Sequence, residues 1–276
     1  MEKEMTMEQM KKILVIMGSP RKGNTFRACE ELRGILEQDL PVEFEYLWLK
    51  DANLLPCKGC LACFFHGEEK CPNHDDALLI EQKIREADGV IFASPVYGMS
   101  VTGQMKIFID RFCYNFHRPQ FFDKKALLLT TTGALGHKDV LNYLDTVARV
   151  WGFEIAGKIG LVTPIPLPSH RIEGNRRAIA KAAGEFTMAL RRQVRKSPGL
   201  MDILIFHGQR AAFSQLERLS PADYQYWKEK GWFDRSVQFF VDVPVNPVYH
   251  AIGMVVEWIA ARQIRNDLIQ NPGEIP

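Results

Sequence analysis

Apolar runs and amphipathic stretches alternate along roughly the first two thirds of the chain. Ile13 to Met17 is an unbroken apolar run that stops at Gly-Ser-Pro, the pattern of a short buried strand. Thr25 to Leu36 then repeats apolar residues at helical spacing, with Phe26, Cys29, Leu32 and Leu36 on one face. Val42 to Leu47 alternates as a second strand, Asp76 to Glu86 reads as a helix and Gly89 to Ala93 as a third strand. A helix over Val101 to Cys113 turns Met105, Phe108, Ile109 and Phe112 inward. The strand Lys125 to Thr131, the helix Asp139 to Val150, the strand Glu154 to Val162 and the helix Asn175 to Lys196 complete the series.

Short strands separated by helices predict an α/β fold, a parallel sheet covered on both faces in a doubly wound domain. Two intervals break this rhythm. Residues 51–75 have no clear period, and a connection of that length points to function or disorder. Beyond "SPGL" the pattern changes to helical pieces around Met201 to Leu219, Pro221 to Gly231 and after Pro247, with Trp227, Trp232 and Trp258 among them. The expected organisation is therefore a domain over residues 1–196 and a mainly helical C-terminal extension over residues 197–276.

Composition changes little in this picture. The chain has 276 residues, 46% hydrophobic and 25% charged, enough for a sizeable core. A net charge of +2 gives no argument for nucleic acid or an anionic membrane as partner. The N-terminal "MEKEMTMEQMKK" mixes acids and bases, and the apolar run behind it is too short for a signal-peptide core. The stretch "PVYHAIGMVVEWIAARQIR" is interrupted by His250 and Glu257 and reads as an amphipathic helix, not a membrane span. A cytoplasmic location is expected, where thiols stay reduced and clustered cysteines point to metal or redox chemistry.

Candidate chemistry lies in the loops that follow strands one, three and four. "MGSPRKGNT" hands the first strand to the first helix. Free N–H groups and the positive end of that helix suit a phosphate. Ser19 and Thr25 add hydroxyls, Asn24 an amide, Arg21 a cation, and Gly23 lets the backbone bend toward the anion. An ordinary turn capped by Asn or Thr is the competing reading. After strand three, Pro95, Val96, Tyr97 and Gly98 offer an apolar wall and main-chain hydrogen bonds to a flat ring. After strand four, "TTTGALG" brings small residues, with Thr132, Gly133 and Gly136, to where a ring edge meets backbone. In a doubly wound sheet these loops share the edge where ligands bind. His137 in the last loop is either a ring or substrate contact or a solvated residue at a helix start.

Four of the six cysteines stand in "PCKGCLACFFHGEEKCP". Cys57, Cys60 and Cys63 form C-x2-C-x2-C, and Cys71 follows after seven residues. Three thiolates at that pitch face one compact cluster, and a gap containing Gly67 folds back to the same cluster, which suits a single [4Fe–4S] centre. Zinc on four thiolates, free thiols and a redox disulfide are the open alternatives. His66 and His74 are near enough to be alternative ligands or simple loop residues. Cys29 fits the inner face of a helix and Cys113 a helix end, both read as packed. Cys113 to Arg118 is one residue short for a phosphatase-type loop.

"GSPRKGNT", "SPVYGMSVTGQMKIFIDR" and the cysteine run between them resemble the flavodoxin-like NADPH-dependent FMN reductase superfamily, and within it the iron–sulfur flavoproteins. The resemblance covers residues 11 to 190 and implies a five-stranded sheet in the order 2-1-3-4-5. It implies FMN, with its phosphate on Ser19, Arg21, Asn24 and Thr25. Ring contacts would come from Pro95 to Gly98 and from the "TTGALG" loop, with NAD(P)H as co-substrate and a homodimer or homotetramer as the assembly. The expected function is an NAD(P)H-dependent flavin oxidoreductase, reduced by a nicotinamide or a carrier protein, in which no catalytic side chain is required. A non-enzymatic FMN electron carrier and a zinc-stabilised interaction protein are the rival readings.

Overall fold

The computed structural model describes residues 9–166 and 168–270; part of the mixed-charge N-terminus lies outside them. The chain forms two compact units. The first comprises Met1–Pro56, Asp75–Arg111 and Asp123–Val194, the second Cys57–His74, Phe112–Phe122 and Arg195–Pro276.

The first unit is a five-stranded parallel sheet in the order β2-β1-β3-β4-β5. Its strands are β1 (Lys11–Met17), β2 (Val42–Trp48), β3 (Gly89–Pro95), β4 (Lys125–Thr132) and β5 (Glu154–Val162). Helices α1 (Asn24–Asp39), α3 (Ala77–Glu86), α4 (Gly103–Arg111), α5 (His137–Val150) and α6 (Ser169–Arg191) belong to it. This is the flavodoxin-type order that the resemblance implies. Every residue of β4 is buried, as is nearly all of β3, because helices cover both faces; edge strand β2 alternates instead. On one face Ile13, Val15, Met17, Ile91, Leu127 and Leu129 pack with α1 and α6, including the buried Phe186. On the other, Phe92 meets Trp151 and Phe153 edge-on, and Trp151 also meets Phe108. Each of these fully buried rings contributes on the order of 1.5–3 kcal/mol.

Register sets the functional edge. Met17 pairs with Ala93, Pro95 with Thr131 and Thr131 with Leu161. The loops that start after these residues therefore share one edge, at the point where the strand order reverses between β1 and β3.

Helix limits differ from the periodicity in several places, and α4 and α6 show why. Helix α4 is shorter than Val101–Cys113, because Thr102 caps it by accepting a hydrogen bond from Met105 N, and the chain passes into a 3-10 turn at Cys113–Phe116. Helix α6 starts earlier, directly after Pro168, and ends earlier, at Arg191, beyond which Arg192 pairs with Glu154. Proline is well placed just before a first helical turn.

The second unit contains α2 (Ala62–His66), α7 (Leu200–Phe213), α8 (Pro221–Glu229) and α9 (Pro247–Gln270). Its core is aromatic: Phe206, Phe213, Trp227, Trp232, Phe239 and Phe240 pack with Ile203. Buried Arg210 sits over the Phe206 ring, grips Glu257 of α9 and donates to the carbonyls of Asp234 and Val237. Trp227 Nε1 donates to His117 O at 2.7 Å and Tyr226 Oη to Pro119 O at 2.7 Å, which fixes the short segment 112–122 to α8. Among the described residues, no helix is long and apolar enough to cross a membrane.

Candidate functional site

A cavity of about 530 Å3 opens at the shared edge of the sheet. It is lined by Ser19, Arg21, Gly23, Asn24 and Thr25, by Pro95, Val96 and Tyr97, by Thr131, Thr132 and Gly133, and by Thr163 to Ile165. That is an ordinary size for a small-molecule or cofactor site. Its polar lining includes the buried residues Ser19, Thr25 and Thr131. Thr25 Oγ1 and Thr131 Oγ1 share a hydrogen bond of 2.7 Å, which ties the start of α1 to the end of β4.

Helix α1 begins at Gly23 with no side-chain cap and no acidic residue in its first turn. The Asn or Thr cap of the competing sequence reading is thus absent. Thr25 turns to Thr131, and Asn24 Nδ2 donates to Thr163 Oγ1 at 2.9 Å. A helix start with no side chain over its N–H groups, lined by hydroxyls and one arginine, favours an anion. Ser19 stiffens the loop itself: its hydroxyl donates to Arg21 O at 2.8 Å.

The second wall is held by Thr102. Its hydroxyl donates to Gly18 O at 2.8 Å, and its N–H donates to Ser94 Oγ at 3.2 Å. The loop after β3 is thereby locked to the loop after β1. Between them Tyr97 and Ser100 exchange backbone hydrogen bonds of 2.9 and 3.0 Å across Gly98 (φ +55) and Met99 (φ +66). Two successive positive φ values make a tight hairpin-type turn that holds Tyr97 at the rim. Gly136 also has a positive φ, +85, and a Cβ there would lie 2.8 Å from Val96 Cγ1. Tyr97, Met99, Leu135 and Ile165 on these loops are exposed by 46%, 54%, 70% and 97%.

Most of the residues named from the sequence meet at this cavity. Gly98 and Gly136 shape its loops without lining it, and the Thr132 hydroxyl is turned to Leu135 O at 2.6 Å within its own loop. The sequence reading missed Thr163, Pro164 and Ile165. They carry no motif, and only the neighbouring places of β4 and β5 bring them in. His137 opens α5, with its Nδ1 buried and without a hydrogen-bond partner among the described residues. The hydroxyl floor, the uncapped helix start and the apolar second loop fit the phosphate and ring of FMN.

The cysteine run belongs to the second unit, although its base is clamped in the first. Asp75 accepts Leu55 N and Ala77 N and a two-pronged pair from Arg111, at 3.0 and 2.7 Å. Within the run, Cys57 and Cys60 are exposed, Cys63 and Cys71 half-buried, and all six cysteines are free of disulfides. His66, the last residue of α2, and His74, in the loop before α3, are both exposed. Soft, accessible, reduced thiols are the right donor chemistry for an iron–sulfur centre. Among the described residues, no three His, Cys, Asp or Glu side chains are gathered as they would be around one metal ion.

The structure does gather thiols in another way. Cys113, read from the sequence as a packed helix end, lies within hydrogen-bonding reach of both Cys63 and Cys57. The hydrogen bond from Cys113 brings the Cys63 thiol down to about 7; partial burial opposes this and the Arg118 cation assists it. The same bond, with burial, holds Cys113 well above the ordinary thiol range. Cys29 is different. It is fully buried in α1, and burial raises its thiol pKa strongly. No sequence signal connects Cys113 to the run, because their proximity is purely tertiary.

A family model described as NADPH-dependent FMN reductase matches residues 11–162. An iron-sulfur flavoprotein of Archaeoglobus fulgidus is 30% identical over 224 residues, 80% of this chain and 99% of that protein. An iron-sulfur flavoprotein of Clostridioides difficile is 34% identical over 154 residues, covering 55% and 67% of the two chains. Among solved structures, RosB with a bound 8-demethyl-8-formylriboflavin-5'-phosphate superimposes with a TM-score of 0.53 at 15% identity, over 86% of this chain and 91% of that one, a likeness of fold. Taken with the strand order and the cavity at the start of α1, the matches over most of the chain's length show that it belongs to the NADPH-dependent FMN reductase family, on its iron–sulfur flavoprotein branch.

Proposed function

We propose that the chain is an FMN-dependent oxidoreductase that takes electrons from NAD(P)H or from a carrier protein and passes them on through a [4Fe–4S] cluster held by the cysteine loop. The observation that carries the FMN site is the start of α1, uncapped by any side chain, free of acidic residues and lining a cavity with buried hydroxyls. Ser19, Arg21, Asn24 and Thr25 bind the phosphate, with the α1 N–H groups supplying most of the field. Pro95, Val96, Tyr97 and the loop around Thr132 and Gly133 orient the ring, Gly98 and Gly136 permitting the turns that bring those segments close. Bound FMN supplies the hydride-accepting ring. A bound cluster supplies one-electron transfer through thiolates drawn from Cys57, Cys60, Cys63 and Cys71.

The same reading places FMN in residues 1–196, with 197–276 as an extension, in a cytoplasmic homodimer or homotetramer. Support for the assembly comes from α9, which leaves Val248, Ile252, Val255, Trp258 and Ile259 exposed. The test is anaerobic purification followed by cofactor analysis and turnover. One FMN and four irons per chain, with oxidation of NADH or NADPH in the presence of a quinone or free flavin, is the expected result. Bound FMN without nicotinamide turnover would turn the reading into an electron carrier, and colourless protein with stoichiometric zinc would overturn it.

A further inference from the structure

A cavity of about 610 Å3 lies wholly within the second unit, and none of its lining residues belongs to the cavity at the start of α1. One wall is a face of α9. Met254, Trp258, Ala261 and Arg265 recur on it at helical spacing, and Arg262 sits over the Trp258 ring at 5.8 Å. The other wall carries Arg235. Buried Arg210 sets both walls. It pairs with Glu257 of α9 at 2.6 Å and donates through Nη1 to the carbonyls of Asp234 and Val237, at 3.1 and 2.8 Å, on either side of Arg235.

The charge of this hollow is one-sided. Glu257 is the acid in its lining, and Arg210 and His207 already engage it. Asp234, next to Arg235 in sequence, turns its carboxylate to the N–H and hydroxyl of Ser236, both at 2.8 Å. Arg235, Arg262 and Arg265 have no carboxylate partner among the described residues. Cations in a last helical turn offset the helix dipole, but the last turn of α9 has no basic residue, and Arg262 and Arg265 stand before it. Three cations lining one hollow repel each other until something negative lies among them.

We propose that this cavity binds a phosphate-bearing molecule with a flat ring, of which a nucleoside monophosphate is the simplest form. Guanidinium forks match the paired oxygens of a phosphate. Exposed Trp258 and Met254 supply apolar surface for the ring. A bare inorganic anion would fill little of the space and leave that surface in water, and an uncharged ring would leave the three cations unanswered. A membrane surface is met by an outward apolar face, whereas these arginines line a hollow.

The test titrates FMN-saturated, full-length protein with AMP, ribose 5-phosphate and adenosine by isothermal calorimetry. AMP is expected to bind once per chain, with affinity that falls as salt is raised, and more tightly than either of its halves. Arg262→Gln combined with Arg265→Gln should weaken AMP by roughly 10- to 100-fold, while Arg171→Gln on α6 changes nothing. The double variant also separates this site from the start of α1, since it should leave bound FMN per chain as it was. Wild-type protein gives a second measurement that depends on no variant: photolabelling with azido-AMP should mark the peptide from Met254 to Arg265. No AMP binding at millimolar concentration, equal binding by the double variant, or label fixed elsewhere in the chain overturns the proposal. Binding to phosphatidylglycerol vesicles with none to AMP would make the arginines a membrane contact and overturn it as well.

Discussion

Thr25 and Thr131, far apart in sequence, share one hydrogen bond of 2.7 Å between buried hydroxyls on the wall of the cavity. Each hydroxyl has a single proton, so one of the two donates to the other and the acceptor keeps its proton for a ligand. Thr25→Val removes the tie and, on the proposed reading, a phosphate contact. Hydrogen bonds to charged groups are worth about 1.5–3 kcal/mol, so FMN affinity should fall by roughly 10- to 100-fold. Fluorescence titration of apoprotein measures it, with Thr25→Ser expected to restore most of the loss.

Gly136 should tolerate no side chain. Its φ of +85 disfavours an L-residue, and a Cβ would meet Val96 Cγ1 at 2.8 Å. Gly136→Ala therefore adds about 1–2 kcal/mol of backbone strain and pushes Val96 off the cavity wall. Lower thermal stability together with weaker FMN binding is the expected result. Gly34, whose Cβ would meet nothing within 4 Å, is the control position in α1.

The Asp75–Arg111 pair predicts a pH dependence. The side chains are 1% and 5% exposed. Burial alone would raise the Asp75 carboxyl, but the Arg111 hydrogen bonds and the N–H groups of Leu55 and Ala77 together hold it below the usual carboxylate range. A depressed pKa contributes stability above the unfolded value of about 3.9, and that contribution is lost as pH falls through the lower folded value. Asp75→Asn breaks this buried ion pair from one side, at a cost of about 3–5 kcal/mol near neutral pH. Thermal unfolding at pH 7 and at pH 3 should show that gap narrowing in acid.

Arg118→Met removes three anchors at once and takes from buried Asp223 its cationic partner, leaving it the contacts with His117 and Ser220. The second unit should lose about 3–5 kcal/mol. On the proposed reading metal uptake should fall with it while bound FMN per chain is unchanged, because the residues lining the cavity at the start of α1 all lie in the first unit. Metal analysis and flavin absorbance on one preparation decide the matter.

What could be read from the chain followed the reach of each signal. Strands β3 and β4 were plain because they are covered on both faces and so are apolar without interruption. The α1 loop was legible because glycine, hydroxyls and a cation cluster within a few residues at a strand-to-helix junction. Thr163 to Ile165 gave no such cluster, and their place follows only from β5 lying beside β4. The nearness of Cys113 to Cys57 and Cys63 was out of reach for a related reason. The sequence sets it at a helix end, and α4 does end just before it, but its neighbours are set by the Arg118 and His117 contacts. Spacing rules cover a motif and cannot register a thiol delivered by another part of the chain.

The rim made by Tyr97, Met99, Leu135 and Ile165 has a practical consequence for anyone handling the protein. With nothing seated in the crevice, these hydrocarbon surfaces face water, and exposed apolar surface of that kind drives molecules to stick to one another. Flavin-stripped preparations should therefore turn cloudy on concentration sooner than yellow ones, and light scattering during storage would report cofactor loss before any assay did.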